Sequence, residues 1–340
     1  MRSKNRFRLS VVVPCYNEED AIGATHARLL EVLGGRIDFD LEIVYVNDGS
    51  GDQTEAILDQ FAEADARVNL ISFARNFGHQ PALTAGLEYA SGDVVAVIDA
   101  DLQDPPEVIL KMLEKWREGF DVVYGVRTKR KEGILKRAAY ISFYRIYRML
   151  ANIDVHLDSG DFALMDRRVV DVLNSLPEKN RFVRGLRAWA GFRQTGCAYE
   201  RAARSAGETK YPLHKLIRLA FDGIFNFSTA PLSMIFSLGL FTSIASMLAA
   251  LIYFAARIFG FSVLGHRPED VPGFTTLILT LLFFSGVQLI SIGILGEYLG
   301  RIYQETKMRP TYVVRSVRGP LAVGTRLEAR ARPAAHANRA

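Results

Sequence analysis

Cysteine is nearly missing from this chain: Cys15 and Cys197 are the only two. A disulfide scaffold and a cysteine-ligated metal centre are excluded, and so distant a pair fits a reducing compartment. Glycine-rich phosphate cradles are missing as well. There is no G-x-G-x-x-G and no Walker lysine motif, so dinucleotide- and ATP-type sites have no support. The N-terminus is basic, MRSKNRFR, but the apolar run behind it stops at Pro14. That run is too short for a signal peptide and predicts a first strand.

Charge is absent from two long stretches. Thr229–Ala256 runs for 28 residues and Phe274–Gly296 for 23 without Asp, Glu, Lys or Arg. A helix needs about 20 residues to cross the hydrocarbon core, so both predict transmembrane spans. The net charge is +5. Arg201, Arg204, Lys210, Lys215 and Arg218 precede the first span, and Arg301, Lys307, Arg309, Arg315 and Arg318 follow the second. The connecting segment carries only Arg257 and Arg267 as strong cations. Two crossings and this bias predict a large domain and a C-terminal tail that both face the cytoplasm, with the basic residues at an anionic membrane surface rather than on nucleic acid. Ser285, Gly286, Ser291 and Gly293 offer small residues for helix contact in the second span and predict a homo-oligomer.

Before the spans, strands and helices alternate. Leu9–Pro14, Leu41–Asn47, Val68–Phe73, Val94–Asp99 and Asp121–Val126 are compact apolar runs, and helical segments such as Glu19–Leu33 and Gln53–Ala64 lie between them. This pattern predicts an α/β fold with a mostly parallel sheet covered on both faces. Ligands in such sheets bind beyond the carboxyl ends of the strands, where Tyr16, Asn17, Glu18, Asp48, Asp99 and Asp101 should gather. Two amphipathic segments follow. Leu213–Phe227 runs into a span and reads as interfacial, whereas Leu135–Leu150 fits either the headgroup plane or the protein's own core. The expected organisation is a catalytic domain at 1–211, an interfacial helix at 212–228, a membrane hairpin at 229–300 (spans 229–256 and 274–299) and a tail at 301–340, disordered from Gly319.

The strongest chemical signal is VIDADLQDPPE, Val97–Glu107. Asp99 and Asp101 lie just past a buried strand, two apart on an extended turn, and so can point to one side. Hard oxygen ligands of this kind suit Mg²⁺ or Mn²⁺, and Gln103 adds a neutral oxygen. The second acidic strand end is VNDGS, Val46–Ser50. It reads either as a plain turn or as an acceptor, through Asp48, for a base or ribose donor. With no glycine cradle, a bound diphosphate needs a metal and basic side chains.

These motifs together resemble a known family. VVVPCYNEE, VNDGS, ARNFGHQPALTAGL, GDVVAVIDADLQDPPE, YGVRTKR, DSGDFALMDR and GETKYPLHKL occur in the order seen in family 2 glycosyltransferases. The resemblance is to the dolichol-phosphate mannose synthase-like branch, and within it to bacterial polyprenyl-phosphate glycosyltransferases with two C-terminal spans. It covers residues 8 to 312; Asn47 stands where the family commonly has an aspartate.

The resemblance implies a GT-A fold at the bacterial inner membrane, multi-pass, that transfers a sugar with inversion from a nucleotide-diphosphate sugar to undecaprenyl phosphate. Pro14, Tyr16, Glu18, Val46 and Asp48 would line the nucleoside, joined by Asp99 and Ala100; Asp99, Asp101 and Gln103 would hold the metal. Arg127, Arg130, Arg204 and Lys210 would meet phosphates, and Asp161 would act as a base or orienting group near the reacting centre. Alternatively, Asp161 is a loop carboxylate pairing with Arg167 or Arg168. His79 reads as structural. UDP-glucose is the expected donor, with UDP-N-acetylglucosamine, an amino-arabinose donor and GDP-mannose as alternatives. A processive synthase is disfavoured, since its Q-x-x-R-W signature is absent and LRAWAG at 186–191 is the nearest string. A catalytically inactive membrane scaffold would be expected to have lost the carboxylates, which are present.

Overall fold

The computed structural model describes residues 6–127, 159–179, 181–200, 230–260 and 274–322. The chain divides into two compact units. One comprises 1–148, 153–217 and 309–340, and the other comprises 149–152 and 218–308.

The first unit is built on eight strands: β1 (Phe7–Cys15), β2 (Phe39–Asn47), β3 (Val68–Phe73), β4 (Val94–Val97), β5 (Val122–Arg127), β6 (Ser159–Asp166), β7 (Gln194–Tyr199) and β8 (Val314–Arg318). They form one sheet in the order β7-β5-β6-β4-β1-β2-β3-β8. The helices are α1 (Ile22–Leu33), α2 (Thr54–Ala64), α3 (His79–Tyr89), α4 (Glu107–Arg117), α5 (Arg167–Ser175) and α6 (Val183–Trp189). The α/β class expected from the sequence is the one observed. The five anticipated strands are present, and β1, β2, β3 and β4 run parallel as expected. The sheet is more mixed than the early motifs indicate: β6 lies antiparallel between β4 and β5, and β8 adds antiparallel to β3.

β1 is buried from Leu9 to Cys15, because neighbours on both edges and helices on both faces leave it no polar side. Pro14 sits in this central strand without costing a ladder bond. Pairing to β4 stops at Val12–Val97, with Ile98 N–H donating to the Val12 carbonyl, and Pro14 faces that same, now unpaired, side. The sheet order reverses at β1, so β1 and β4 splay into a crevice at their carboxyl ends. Two glycines are required here. A Cβ on Gly86 would come within 2.1 Å of Val12, so α3 lies close against β1; Gly49, at φ 64°, would clash with the backbone of Arg75 at 2.4 Å.

The expected tail differs from the structure. Val314–Arg318 completes the sheet edge, Arg315 pairs with Glu55, and Arg318 pairs with Asp59. Tyr312 stacks on Phe73 at 4.9 Å, and Leu321 N–H donates to Asn69 at 2.9 Å. Disorder was expected from Gly319, but Ala322 N–H donates to the Gly319 carbonyl at 3.0 Å; residues from 323 onward lie outside the described residues.

The second unit contains α7 (Ala230–Phe259) and α8 (Phe274–Thr306), of 30 and 33 residues. Both contain stretches long and apolar enough to cross a membrane, Pro231–Ala256 and Phe283–Thr306, and no residue of an 18-residue apolar window in either is buried by protein. Large side chains such as Phe236, Phe241, Phe254 and Leu289 stand exposed along them. Apolar surface on this scale calls for lipid or protein cover. The expected interfacial segments at 213–227 and 135–150 lie outside the described residues.

Candidate active site

Loops from the strand ends converge on the β1–β4 crevice. The chain after β1 is laced to the chain after β2: Asn17 N–H donates to Ser50 Oγ at 3.1 Å, Gly51 N–H to Asn17 Oδ1 at 2.9 Å, and Glu18 N–H to Thr54 Oγ1 at 2.8 Å. These bonds hold Asn17 in a left-handed conformation, φ 53°, and leave Tyr16 exposed at the rim. After β4 the chain turns sharply. Asp101 Oδ1 accepts the Gln103 N–H at 3.1 Å around Leu102, whose φ of 55° is strained for a residue with a Cβ.

Three expected nucleoside residues are buried. Pro14 and Val46 are buried within their strands, and Ala100 is buried with its carbonyl accepting from Thr25 Oγ1 at 2.6 Å. Asp48 is held at both carboxylate oxygens. It is 3% exposed, and its two oxygens accept Phe77 N–H at 2.7 Å and Gly78 N–H at 2.9 Å. Burial raises its pKa against those bonds. The carboxylate therefore ties the end of β2 to the start of α3. Glu18, Asp99, Asp101 and Gln103 are half-buried along the crevice. Arg130, Arg204 and Lys210 lie outside the described residues.

Asp161 enters from the start of β6, beside the exit of β4. Neither Arg167 nor Arg168 pairs with it. Arg167 donates to the carbonyls of Ala90 and Gly92, and Arg168 reaches Asp166 and Asp121. Arg184 of α6 instead forks onto Asp161 at 3.2 and 3.1 Å, and His79 Nε2 lies 3.3 Å from the same carboxylate. Burial opposes ionisation of Asp161, but Arg184 and His79 outweigh it and hold its pKa well below the usual carboxylate range. Burial likewise opposes charge on His79, and the Asp161 contact and the field of Asp99 win, raising its pKa. His79, expected to be structural, thus stands at the centre of the charge cluster.

A second linkage crosses the sheet. The Tyr199 hydroxyl donates to the buried Asp104, and Arg127 Nε donates to the same hydroxyl at 3.3 Å. Asp104 closes the Asp99–Gln103 loop, so this bridge fixes the loop relative to Arg127. Burial works against charge on Arg127, while Tyr199, Asp104 and Asp99 favour it and raise its pKa.

The carboxylates fit a divalent cation. Burial pushes the Asp99 pKa up to about 6, His79 works against the rise, and the charges of Asp104, Asp161 and Asp101 add to it. Such crowding of negative charge is relieved by a bound cation. Among the described residues, no three His, Cys, Asp or Glu side chains form a closed cage. An open set of one or two carboxylates, completed by substrate phosphates and water, is the arrangement Mg²⁺ favours.

Sequence reasoning missed Arg184, Arg187, Asp104 and Tyr199. The signal available was FVRGLRAW at 182–189, in which two arginines three apart share one helical face.

Residues 10–173 match the family model described as Glycosyl transferase family 2. The chain is 48% identical to the uncharacterized glycosyltransferase YkcC of Bacillus subtilis (strain 168), over 91% of this chain and 94% of that one. It is 42% identical to the prophage bactoprenol glucosyl transferase homolog of Escherichia coli (strain K12), over 92% and 99%. It is 43% identical to the bactoprenol glucosyl transferase of Shigella phage SfV, over 91% and 98%. Among solved structures, the mannosyltransferase PcManGT of Pyrobaculum calidifontis, in complex with GDP-Man and Mn²⁺, aligns over 84% of this chain and 87% of that one, at 18% identity and a TM-score of 0.40. That likeness is too distant to bear on the site.

Proposed function

This chain belongs to glycosyl transferase family 2, and on that premise we propose that it transfers glucose from UDP-glucose to undecaprenyl phosphate at the cytoplasmic membrane face, with inversion, giving a polyprenyl-monophosphate sugar. One observation carries the reading: the identity of 42–43% to bactoprenol glucosyl transferases extends over more than nine-tenths of each chain. The apolar helices α7 and α8 support it, since an acceptor with a membrane tail is met at the headgroup level by a domain anchored there.

Each residue has a proposed part. Tyr16 offers its exposed ring to the nucleoside, with Glu18 beside it. Asp99 and Asp101, with Gln103, would hold a divalent cation, which when bound neutralises the leaving diphosphate. Arg127, set by Tyr199, faces that diphosphate, and Arg130, Arg204 and Lys210 are further phosphate partners. The acceptor phosphate is largely ionised at neutral pH, its second pKa being about 6, so its oxygen needs no strong base. Asp161 suits that demand. Held ionised by Arg184 and His79, it is a weak proton acceptor and serves to orient the reacting groups.

The test uses the full chain in nanodiscs with undecaprenyl phosphate and a panel of nucleotide sugars, lipid products being resolved by mass. A hexose-phosphate lipid formed from UDP-glucose is expected. A product from another donor would overturn the sugar assignment, and no lipid-linked product from any donor would overturn the acceptor.

A further inference from the structure

Arg187 lies on α6 one turn beyond Arg184, with its side chain 3% exposed. Among the described residues its Nε has no hydrogen-bond partner, and the Tyr124 ring lies 5.6 Å from its guanidinium carbon. The backbone here is fixed, since the Arg187 carbonyl accepts Gln194 Nε2 at 2.8 Å. Burial lowers its pKa to about 10, and the charge of Asp161 works against that fall. Asp161, however, is already taken by the Arg184 fork and by His79. Among the described residues, two guanidinium cations and an imidazole thus lie around the Asp161 carboxylate, with Asp99, a proposed cation ligand, near His79. A buried cation left without a counter-ion is costly, and an orphaned polar atom in a native interior calls for an absent ion or a functional role.

We propose that Arg187, with Arg184 beside it, forms a phosphate subsite next to Asp161, filled by a phosphate group of one of the two substrates. The inference rests on the transferase reading above and names a part of the site that reading leaves without residues. A guanidinium is suited to it, because it stays charged when buried and meets phosphate oxygens in a fork. The rival role is packing alone, with Arg187 held by the face of Tyr124.

The two roles differ in what a neutral side chain does. In full-length protein in zwitterionic nanodiscs, Arg187→Met should leave the melting temperature unchanged or raise it, because an unpaired buried charge is removed. The same variant should bind one phosphate ligand at least about tenfold more weakly. Calorimetry with UDP, pyrophosphate and a short-chain polyprenyl phosphate identifies which. Weaker UDP and pyrophosphate place the donor's diphosphate there, and weaker polyprenyl phosphate alone places the acceptor. Unchanged affinity for all three, whatever the melting temperature, overturns the subsite. Should Arg187→Met fail to fold, Arg187→Lys carries the test: it keeps the charge without the fork, and parental affinity for all three ligands again overturns the proposal. A parent enzyme that makes no lipid-linked product, while its Arg187→Met variant loses UDP affinity, would sink the acceptor assignment and leave the subsite standing.

Discussion

The carboxylate of Asp48 accepts the backbone N–H of Gly78 at 2.9 Å, and its other oxygen takes Phe77 N–H at 2.7 Å. This motif residue clasps β2 to α3. Removing an acceptor from buried N–H groups costs about 1–3 kcal/mol for each group left unsatisfied. Asp48→Ala should therefore lower the melting temperature clearly. UDP affinity, measured by calorimetry well below the melting point, should change by less than about threefold. An intact melting curve with lost UDP binding would return Asp48 to the nucleoside site.

Metal dependence follows from the crowding of Asp99, Asp101 and Asp104. Turnover should vanish in EDTA and return with Mg²⁺ or Mn²⁺. Asp101→Asn should lose on the order of 10²-fold or more in turnover, the usual cost of removing a preorganised electrostatic stabiliser. Mn²⁺ binding followed by electron paramagnetic resonance supplies a readout independent of turnover. Full activity in excess chelator would refute the assignment.

Acid stability should report Asp161. Arg184 and His79 depress its folded-state pKa, and Arg187 and Asp99 are the other charges near it. A carboxylate with a depressed pKa contributes stability above its unfolded value of about 3.9, and the contribution fades as pH falls below that value. The melting-temperature gap between the parent and Asp161→Asn should be wide at pH 6 and shrink from about pH 4 downward. His79 acts with the opposite sign. Its pKa is raised, so its contact contributes below its unfolded value of about 6.5 and is lost as pH rises through the folded value. A gap that does not vary with pH would show that the Asp161 pairing is not coupled to folding.

Truncation after Met308 should damage the first unit even though no motif is removed. It strips β8 from β3 and leaves Glu55 and Asp59 without Arg315 and Arg318. An unpaired edge of buried strand invites association. Lower melting temperature and aggregation on size exclusion are expected, and a variant that matches the parent in both would show β8 to be dispensable.

Membrane orientation is tested by reporters. Fusions after Arg318 should behave as cytoplasmic and fusions near His266 as exported, given the basic flanks outside the spans. Reversed signals would move the proposed reaction to the other face.

The sequence by itself determined the α/β class, the five leading strands, the two apolar helices, glycosyl transferase family 2 and the acidic turn at Asp99–Gln103. Each is written in local order, as strand runs bounded by turn residues, uncharged stretches of membrane length, or a string of motifs. Only the tertiary structure decided what the charges do. Asp161 meets Arg184 across 23 residues of sequence, and Tyr199 meets Asp104 across 95. Asp48 clasps the start of α3, His79 meets Asp161, and Val314–Arg318 changed from tail to sheet edge. The physical reason is that a side chain's partner is set by strand order and crevice geometry, and neither is encoded in the few residues around it. Periodicity shows which face a residue takes, but the fold determines which group meets it there.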